Sequence, residues 1–200
     1  MDTDDVLAAR LATDLDGSFE TLVRTHQDRL YTIAHRFLGD AHEAEDLTQE
    51  ALVRAYRALA GYPADRIRAL HVRPWLATIV LNLCRNRVTR RRAPEARSLD
   101  AASSNGSAPP DPPADPAGSP AAVVERREAS HRWAGLVAKL PPVYRAPLVL
   151  RHVDGLSYPE VALALDRPEG TVKAQVHRGL ALLRTAYEAA DRLDREEMTA

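Results

Sequence analysis

Apolar residues recur at three- and four-residue steps through the first half of the chain, the spacing that places them on one face of an α-helix. The pattern predicts three helices, at about 18–38, 41–59 and 74–91, with a loop or short helix between the last two. Gly39 and Asp40 separate the first pair, because glycine ends helices and aspartate caps them, while Pro74 suits the first position of the third. Since alternating apolar runs typical of strands do not occur, the chain is predicted to be all-α.

The second half of the chain carries the same helical spacing in shorter pieces. It predicts four helices, at about 122–139, 142–153, 158–165 and 169–186. Two short helices joined by a tight turn, as in the last pair, are typical of a helix-turn-helix. Pro168 and Glu169 suit the start of the second helix of that pair, because proline fits the first helical positions and an acid suits the positive end of the helix dipole.

The segment 98–121 separates the two helical halves. It holds six of the 14 prolines and almost no apolar surface, so it is predicted to stay unfolded. Its reach would run from roughly 25 Å as a random coil to about 70 Å as polyproline II. The predicted organisation is two small helical bundles, at 1–97 and 122–187, joined by this disordered linker and followed by an acidic tail at 188–200. Such a linker would leave the relative position of the two bundles undefined.

The net charge of −1 conceals two oppositely charged stretches. Positions 40–50 carry five acids and no Lys or Arg, whereas positions 85–97 carry six arginines and one acid. This division suggests one basic and one polyanionic partner, although two solvated helix faces would give the same composition. Cys84 is the one cysteine, which excludes an intramolecular disulfide and a thiolate metal cluster and suits a reducing, cytoplasmic compartment. Neither a signal peptide nor a membrane-spanning apolar run is recognised, so no membrane insertion is expected.

The third predicted helix combines an apolar stripe with a polar face. The stripe consists of Trp75, Leu76, Ile79, Val80, Leu83, Cys84 and Val88. The polar face holds Thr78, Asn82, Arg85, Asn86 and Thr89, and three consecutive arginines close the helix. Asn, Arg and Thr side chains can reach phosphates and base edges, so this helix is a candidate nucleic-acid-binding element. An amphipathic surface helix with ordinary C-terminal arginines is the alternative interpretation.

The second predicted helix carries acids that its apolar face does not explain. Glu43 and Glu45 lie in the first turns, where the helix dipole favours acids whatever the function. The apolar positions that can face the core are Leu47, Ala51, Ala55 and Leu59. Asp46, Gln49 and Glu50 project away from them and lack that explanation. No nucleophile or metal-ligand set accompanies them, and the seven histidines show no HExxH spacing, so neither a catalytic site, a metal nor a cofactor is predicted.

The second helix of the predicted helix-turn-helix carries polar residues opposite its small apolar core. These residues are candidates for contact with the major groove or with phosphates. They are Thr171, Lys173, Ala174, Gln175, His177 and Arg178. Because many helical pairs never contact DNA, the spacing alone leaves other uses open.

Three motifs follow one another along the chain. Asp46–Tyr56 reads DLTQEALVRAY, Arg73–Arg87 reads RPWLATIVLNLCRNR, and Leu140–Ala162 reads LPPVYRAPLVLRHVDGLSYPEVA, with PEGTVK following at Pro168–Lys173. In this order they resemble the polymerase-clamp-binding segment of the second conserved region, the promoter-opening helix, and the fourth conserved region of bacterial RNA polymerase sigma factors. The subtype that they resemble is the extracytoplasmic-function (ECF) group. The resemblance covers roughly positions 18–95 and 122–185.

The resemblance implies a protein that directs core RNA polymerase to promoters and helps to open them without catalysing a reaction itself. The coiled-coil clamp of polymerase would be bound by Asp46, Leu47, Gln49, Glu50, Val53 and Arg54. The minus-ten element, with a flipped base as the family's usual device, would be read by Arg66, Arg68, Arg73, Asn82, Arg85, Asn86, Thr89 and Arg90. The minus-thirty-five element would be read by Ser157, Tyr158, Thr171, Lys173, Ala174, Gln175, His177 and Arg178. Another surface of the C-terminal module would contact the polymerase flap, and an anti-sigma factor is a further partner typical of the family.

Two positions depart from the family pattern. Asp166 stands where the turn usually has glycine, but aspartate tolerates positive φ better than most residues, so the turn is expected to form. Ala174 and Gln175 stand where Ser-Arg is common, which removes a charged contact and leaves the minus-thirty-five sequence open.

Two other functions are compatible with parts of the pattern. An autonomous helix-turn-helix regulator would bind specific DNA tightly without polymerase, but it gives the acidic segment 46–56 no role. An adaptor that binds no DNA, such as a decoy for a sigma-sequestering protein, would tolerate neutralisation of Arg85 and Arg178.

Overall fold

The computed structural model of the chain describes residues 3–92, 133 and 135–197. Its helices are α1 (Thr3–Thr13), α2 (Leu15–Leu38), α3 (Ala41–Ala60), α4 (Ala64–Arg68), α5 (Val72–Arg92), α6 (Pro142–His152), α7 (Tyr158–Leu165) and α8 (Glu169–Glu197). A further helical stretch covers 135–139, and the described part of the chain contains no strand. The predicted all-α fold is thereby confirmed. The predicted linker and most of the predicted helix at 122–139 lie outside the described residues.

Helices α1 to α5 form the N-terminal body, in which α2 packs chiefly against α3 and α5. Its core is built from the apolar faces of these three helices, and fully buried members are Leu22, Leu30, Ile33, Phe37, Leu59 and Leu76. Helix α1, which the sequence pattern did not predict, covers α2 and α4 with buried Leu7 and Leu11. The short element predicted before the third helix is α4, which contributes buried Ile67.

Local hydrogen bonds set the ends of these helices. Gly39 ends α2 in the left-handed conformation (φ 76°) and donates its N–H to the carbonyl of His35, an orphan acceptor at the helix C-terminus. Asp40 then caps α3, its carboxylate accepting from the N–H of Glu43 at 2.9 Å. The Glu43 carboxylate lies against two arginines of α5, Arg87 and Arg91. The predicted break between two helices at Gly39 and Asp40 is therefore confirmed.

Helices α6 to α8, with the stretch at 135–140, form the C-terminal body. The small apolar core of its helix-turn-helix consists of Leu156, Val161, Leu165, Val172 and Val176, all of them buried. A Cβ on Gly179 would lie 3.1 Å from Leu148 Cδ1, so glycine permits the close approach of α8 to α6. Helix α8 continues beyond the predicted end at 186 to Glu197.

The turn of the helix-turn-helix forms as its sequence predicts. Asp166 ends α7 with φ 50° and ψ 55° and is the one non-glycine residue at positive φ in the described part of the chain. At the other end of α7, Ser157 forms a complete capping box with Glu160. Caps on both ends fix the length of this eight-residue helix and hence the start of α8.

The two bodies pack against each other, α7 against α5 and α6 against α2. Buried Arg145 of α6 donates to the carbonyl of Phe37 at 2.6 Å and to those of Ala138 and Leu140. Carbonyls in the last turn of a helix such as α2 lack partners within it, so a guanidinium is well suited to that position. The composition of the segment 98–121 gives no information about this packing of the two bodies against each other.

Candidate nucleic-acid and protein interfaces

The exposed face of α3 is an acidic surface with an apolar centre. Asp46, Gln49 and Glu50 are exposed. Val53 is 49% exposed, although valine is among the residue types that are most often buried. Arg54 is held beside them by an ion pair with Glu50 at 2.6 Å. We call these five residues the α3 face. An apolar centre within a polar rim is the usual anatomy of a protein-binding surface.

Leu47 does not belong to this face, although the resemblance implied a polymerase contact for it. Its side chain is only 2% exposed and is part of the hydrophobic core. It can support the α3 face from below but has no surface with which to contact a partner. The predicted contact at Leu47 is therefore corrected to a packing role.

Part of the charge division in the sequence is neutralised inside the N-terminal body. The Glu43 carboxylate pairs with Arg91 at 2.5 Å and lies 3.5 Å from Arg87, joining α3 to α5. Two of the clustered arginines thus hold the fold together and are not free for a polyanion. Of the five acids at positions 40–50, the exposed ones are Glu45 and the two of the α3 face, Asp46 and Glu50.

The polar face of α5 is divided by its contact with the C-terminal body. Asn82, Asn86, Thr89 and Arg90 are exposed, as the sequence predicts for nucleic-acid contacts. Arg85 is half-buried, and burial together with the charge of Arg167 lowers the pKa of its guanidinium. Of the predicted minus-ten residues on α5, Asn82, Asn86, Thr89 and Arg90 are therefore accessible, whereas Arg73 and Arg85 are half-buried.

Two aromatic residues lie beside the arginines of α4. The guanidinium of Arg66 stacks over the ring of Tyr62, 3.8 Å from its centroid, and Tyr62 lies 6.3 Å from the ring of Trp75. Both rings are half-buried, while Arg66 and Arg68 are exposed. Aromatic rings beside arginine are a common platform for unstacked bases. The apolar stripe of α5 accounts for Trp75 only as a packing residue. The further signal in the sequence is an aromatic pair that flanks arginines, in a chain with few aromatic residues.

The first turns of α8 present a polar surface next to the start of α7. Its exposed members are Thr171, Lys173, Ala174, His177 and Arg178. Gln175 is half-buried, and its amide oxygen accepts from Arg167 at 2.9 Å. That hydrogen bond restrains Gln175, so of the predicted minus-thirty-five residues on α8 it is the least free to reach a base.

Tyr158 joins α7 to this surface. Its ring lies between Arg151 (5.1 Å to the centroid) and Lys173 (5.6 Å), within the range of cation–π contacts. Lys173 also pairs with Glu169 at 2.6 Å, which raises the pKa of the lysine. Ser157 is exposed, and its hydroxyl is engaged in the capping box. The structure therefore brings Ser157, Tyr158 and the α8 residues together on one side of the C-terminal body.

Neither body contains a cluster of metal-ligating side chains within the described residues. No helix in that part of the chain has the length and apolar character needed to cross a membrane. The arrangement presents an acidic face on one body and polar or basic helix surfaces on both, which are side-chain types suited to contacts with proteins and polyanions.

Comparison with known proteins gives these surfaces a context. The family model of sigma-70 region 2 matches residues 22–93, and that of sigma-70 region 4 matches residues 131–183. ECF RNA polymerase sigma factor SigE of Mycolicibacterium smegmatis is 34% identical over 84% of this chain, which spans 60% of that protein's length. SigW of Bacillus subtilis, also an ECF sigma factor, is 32% identical over 84% of this chain and 87% of its own length. The solved structure of CnrH in complex with the cytosolic domain of CnrY superposes with a TM-score of 0.67, at 26% identity, over 94% of this chain and 99% of CnrH.

Proposed function

This chain belongs to the sigma-70 family as an RNA polymerase sigma factor of the ECF type, and we propose which of its surfaces recognise polymerase and promoter. The observation that carries the proposal is the ordered match of regions 2 and 4 to the two bodies that hold the candidate surfaces. An autonomous helix-turn-helix regulator would need only the second body, so that alternative is set aside. In a sigma factor the chemistry of nucleotide addition belongs to the core enzyme, and we propose that this chain catalyses none and acts in the cytoplasm, where the chromosome is transcribed.

We propose that the α3 face binds the clamp coiled coil of core polymerase. Exposed Val53 would be buried at the centre of that interface, with Asp46, Gln49 and Glu50 contributing charge and hydrogen bonds at its rim. The acids complement a basic partner surface, and such complementarity raises association rates and excludes wrong partners. Leu47 keeps its packing role beneath this face.

We propose that the minus-ten element is read where α4 meets α5. Tyr62 and Trp75 would stack an unpaired base, while Arg66 and Arg68 would hold the adjacent phosphates. The exposed positions on α5, namely Asn82, Asn86, Thr89 and Arg90, would follow the non-template strand. Unstacking a base costs a few kcal/mol, so it requires such a prepared aromatic site.

We propose that α8 reads the minus-thirty-five element from the major groove. Thr171 and Lys173 lie at its N-terminus, where a recognition helix approaches base edges and phosphates. The methyl group of Ala174 suits contact with a thymine methyl, which replaces the charged contact common in the family with an apolar one. His177 and Arg178 lie one turn further on, in reach of the backbone.

We further propose a regulatory protein partner of the anti-sigma kind. The solved structure of CnrH, which matches 94% of this chain, is a complex with the cytosolic domain of another protein, CnrY. A flap contact through the C-terminal body completes the proposed set of partners.

The polymerase assignment is tested with the double variant Asp46→Ala, Glu50→Ala. Loss of two interfacial charges is expected to weaken binding to purified core polymerase at least tenfold, about 1.4 kcal/mol, as measured by anisotropy of the labelled protein. Binding of the isolated protein to DNA should not change. The matched control is Glu20→Ala with Asp28→Ala, which removes the same charge from exposed positions on α2. Core affinity that stays unchanged, or that drops equally in the control, would contradict the assignment of the α3 face.

A further inference from the structure

One side chain of the proposed minus-thirty-five surface is held by a neighbour in the helix-turn-helix. The guanidinium of Arg167, in the turn between α7 and α8, donates from Nη1 to the amide oxygen of Gln175 at 2.9 Å. Both side chains are half-buried. Because an arginine side chain offers only donors, the amide atom that faces it is the oxygen and not the nitrogen. The contact therefore fixes which end of the Gln175 amide points toward the turn.

Gln175 lies between two exposed members of the same surface. Thr171, Gln175 and Arg178 follow one another along α8 at steps of four and three residues, so they share one side of the helix. Thr171 and Arg178 are exposed, and Gln175 is partly so. A helix that enters the major groove with Thr171 and Arg178 facing the DNA brings the Gln175 amide into the same groove.

The backbone of the turn fixes the position from which Arg167 reaches Gln175. The Arg167 N–H donates to the carbonyl of Ala162 at 3.0 Å, which is the outer hydrogen bond of a Schellman motif around Asp166 in its left-handed conformation. Pro168 follows and restricts the backbone of Arg167 from the other side. Since backbone groups close this turn, its formation does not depend on the Arg167 side chain.

A held amide presents a different pattern to DNA from a free one. A free glutamine reads adenine with both ends of its amide, its oxygen accepting from N6 and its nitrogen donating to N7. With Oε1 directed at Arg167, Gln175 has its two N–H donors left for a base. Guanine offers two adjacent acceptors in the major groove, N7 and O6, and thymine offers one, whereas adenine and cytosine each place an N–H₂ donor there. Guanine is therefore the base that complements the held amide best.

We propose that Arg167 is a positioning residue for promoter recognition, which holds the amide oxygen of Gln175 and thereby makes Gln175 select guanine in the minus-thirty-five element. This selectivity rests on the proposed reading of that element by α8. Arg167 acts through the orientation of Gln175 and need not touch the DNA itself. The restraint that limits the reach of Gln175 is also what determines its choice of base. Without Arg167 the amide can turn, and adenine becomes an equally good partner.

The test is selection of promoter DNA by the holoenzyme, formed from the full chain and core polymerase. The DNA lies upstream of the gene that encodes this chain, its minus-thirty-five element is randomised, and the bound fraction is sequenced. We expect the wild type to prefer guanine over adenine about tenfold at one position, within the range of a good pair of base contacts. Gln175→Ala should lose the preference at that position and keep the others. Arg167→Ala should reduce it to about twofold or less by admitting adenine.

Two controls separate the orientation of Gln175 from the loss of a charge. Arg184→Ala removes an arginine from an exposed position of α8 beyond the proposed surface, and it should change no base preference. In a Gln175→Ala background, Arg167→Ala should have no further effect on the preference, because no amide is left to orient. Circular dichroism verifies that each variant is folded. Arg167→Met, which keeps the length of the side chain without its donors, replaces Arg167→Ala if that variant does not fold.

Each outcome bears on a different step. A guanine preference that is unchanged in Arg167→Ala would overturn the role of Arg167. Preferences that are all unchanged in Gln175→Ala, or a Gln175-dependent position at which the wild type selects adenine, would overturn the held amide as a reader of guanine. A wild-type holoenzyme that enriches no minus-thirty-five sequence would instead contradict the proposed function of α8.

Discussion

The capping box of α7 allows a structural role and a DNA contact to be separated at one residue. The Ser157 hydroxyl donates to the Glu160 carboxylate at 2.6 Å and accepts from the Glu160 N–H at 3.4 Å. Ser157→Ala removes both bonds but leaves the bond from the Ser157 N–H to the Glu160 carboxylate, at 2.7 Å. Loss of a serine N-cap costs about 1 kcal/mol. For a chain of this size that corresponds to a melting temperature lower by about 2–4 °C.

The measurement is urea-induced unfolding followed by circular dichroism, with Ser157→Thr as the matched control because threonine keeps the hydroxyl. We expect the free energy of unfolding to fall by about 1 kcal/mol in Ser157→Ala and by less than half of that in Ser157→Thr. Equal losses in both variants, or none in Ser157→Ala, would refute the capping argument. If DNA binding falls in Ser157→Ala and is kept in Ser157→Thr at matched stability, the hydroxyl also contacts the promoter.

The capping box of Ser157 and Glu160 also predicts how the loss of stability in Ser157→Ala depends on pH. Burial raises the pKa of Glu160, but hydrogen bonds from the Ser157 hydroxyl and N–H, with the charges of Arg73 and Arg29, outweigh burial and leave the pKa lowered. A carboxylate with a depressed pKa in the folded state stabilises the protein above its unfolded-state pKa, and this contribution is lost as the pH falls through the folded pKa. The difference between wild type and Ser157→Ala should therefore shrink below about pH 4.5. A difference that is constant from pH 7 to pH 3 would contradict it.

Two further groups give predictions that need no partner. Burial first, and then the charges of Arg29 and Arg73, lower the pKa of His26 to about 4, so the unfolded chain takes up a proton between pH 6.5 and 4 that the folded chain does not. The free energy of unfolding, measured by urea titration, should therefore fall by up to about 3 kcal/mol as the pH is lowered across that interval. His26→Gln should reduce this dependence on pH. If the free energies of wild type and variant change in parallel with pH, His26 is not the cause. Burial raises the pKa of the Cys84 thiol to about 12, so it should resist Ellman's reagent at pH 8 until denaturant is added, and rapid reaction of the native protein would show that the site is open.

Features fixed by neighbouring residues could be predicted from the sequence. The break between α2 and α3 depends on Gly39 and Asp40, and the bounds of α7 depend on Ser157 and Asp166, all of which act within one helical turn. Helix α1 was missed because its stripe is short and its apolar residues become informative only once α2 and α4 are in place to cover them.

The features that the sequence could not predict depend on contacts between distant segments. The Glu43–Arg91 pair joins residues 48 positions apart, so both charges looked available to partners until the fold placed them together. Ala77 and Leu81 lie outside the predicted apolar stripe of α5 yet are fully buried. For Leu47, the helical spacing favours the core and the family motif favours a polymerase contact, and the packing of α3 decides for the core. In the candidate sites, the residue types and the helix faces could be predicted from the sequence. Whether a given side chain is accessible to a partner could not, because that depends on contacts between distant segments.

Run-off transcription tests the central claim most directly. Purified core polymerase is supplied with DNA from upstream of the gene that encodes this chain, with and without the protein. A sigma factor is expected to produce a transcript with a defined start, and Asp46→Ala with Glu50→Ala should reduce its yield in proportion to the loss of core affinity. A template that gives no transcript above core polymerase alone would contradict the assignment of this chain as the promoter-recognition subunit.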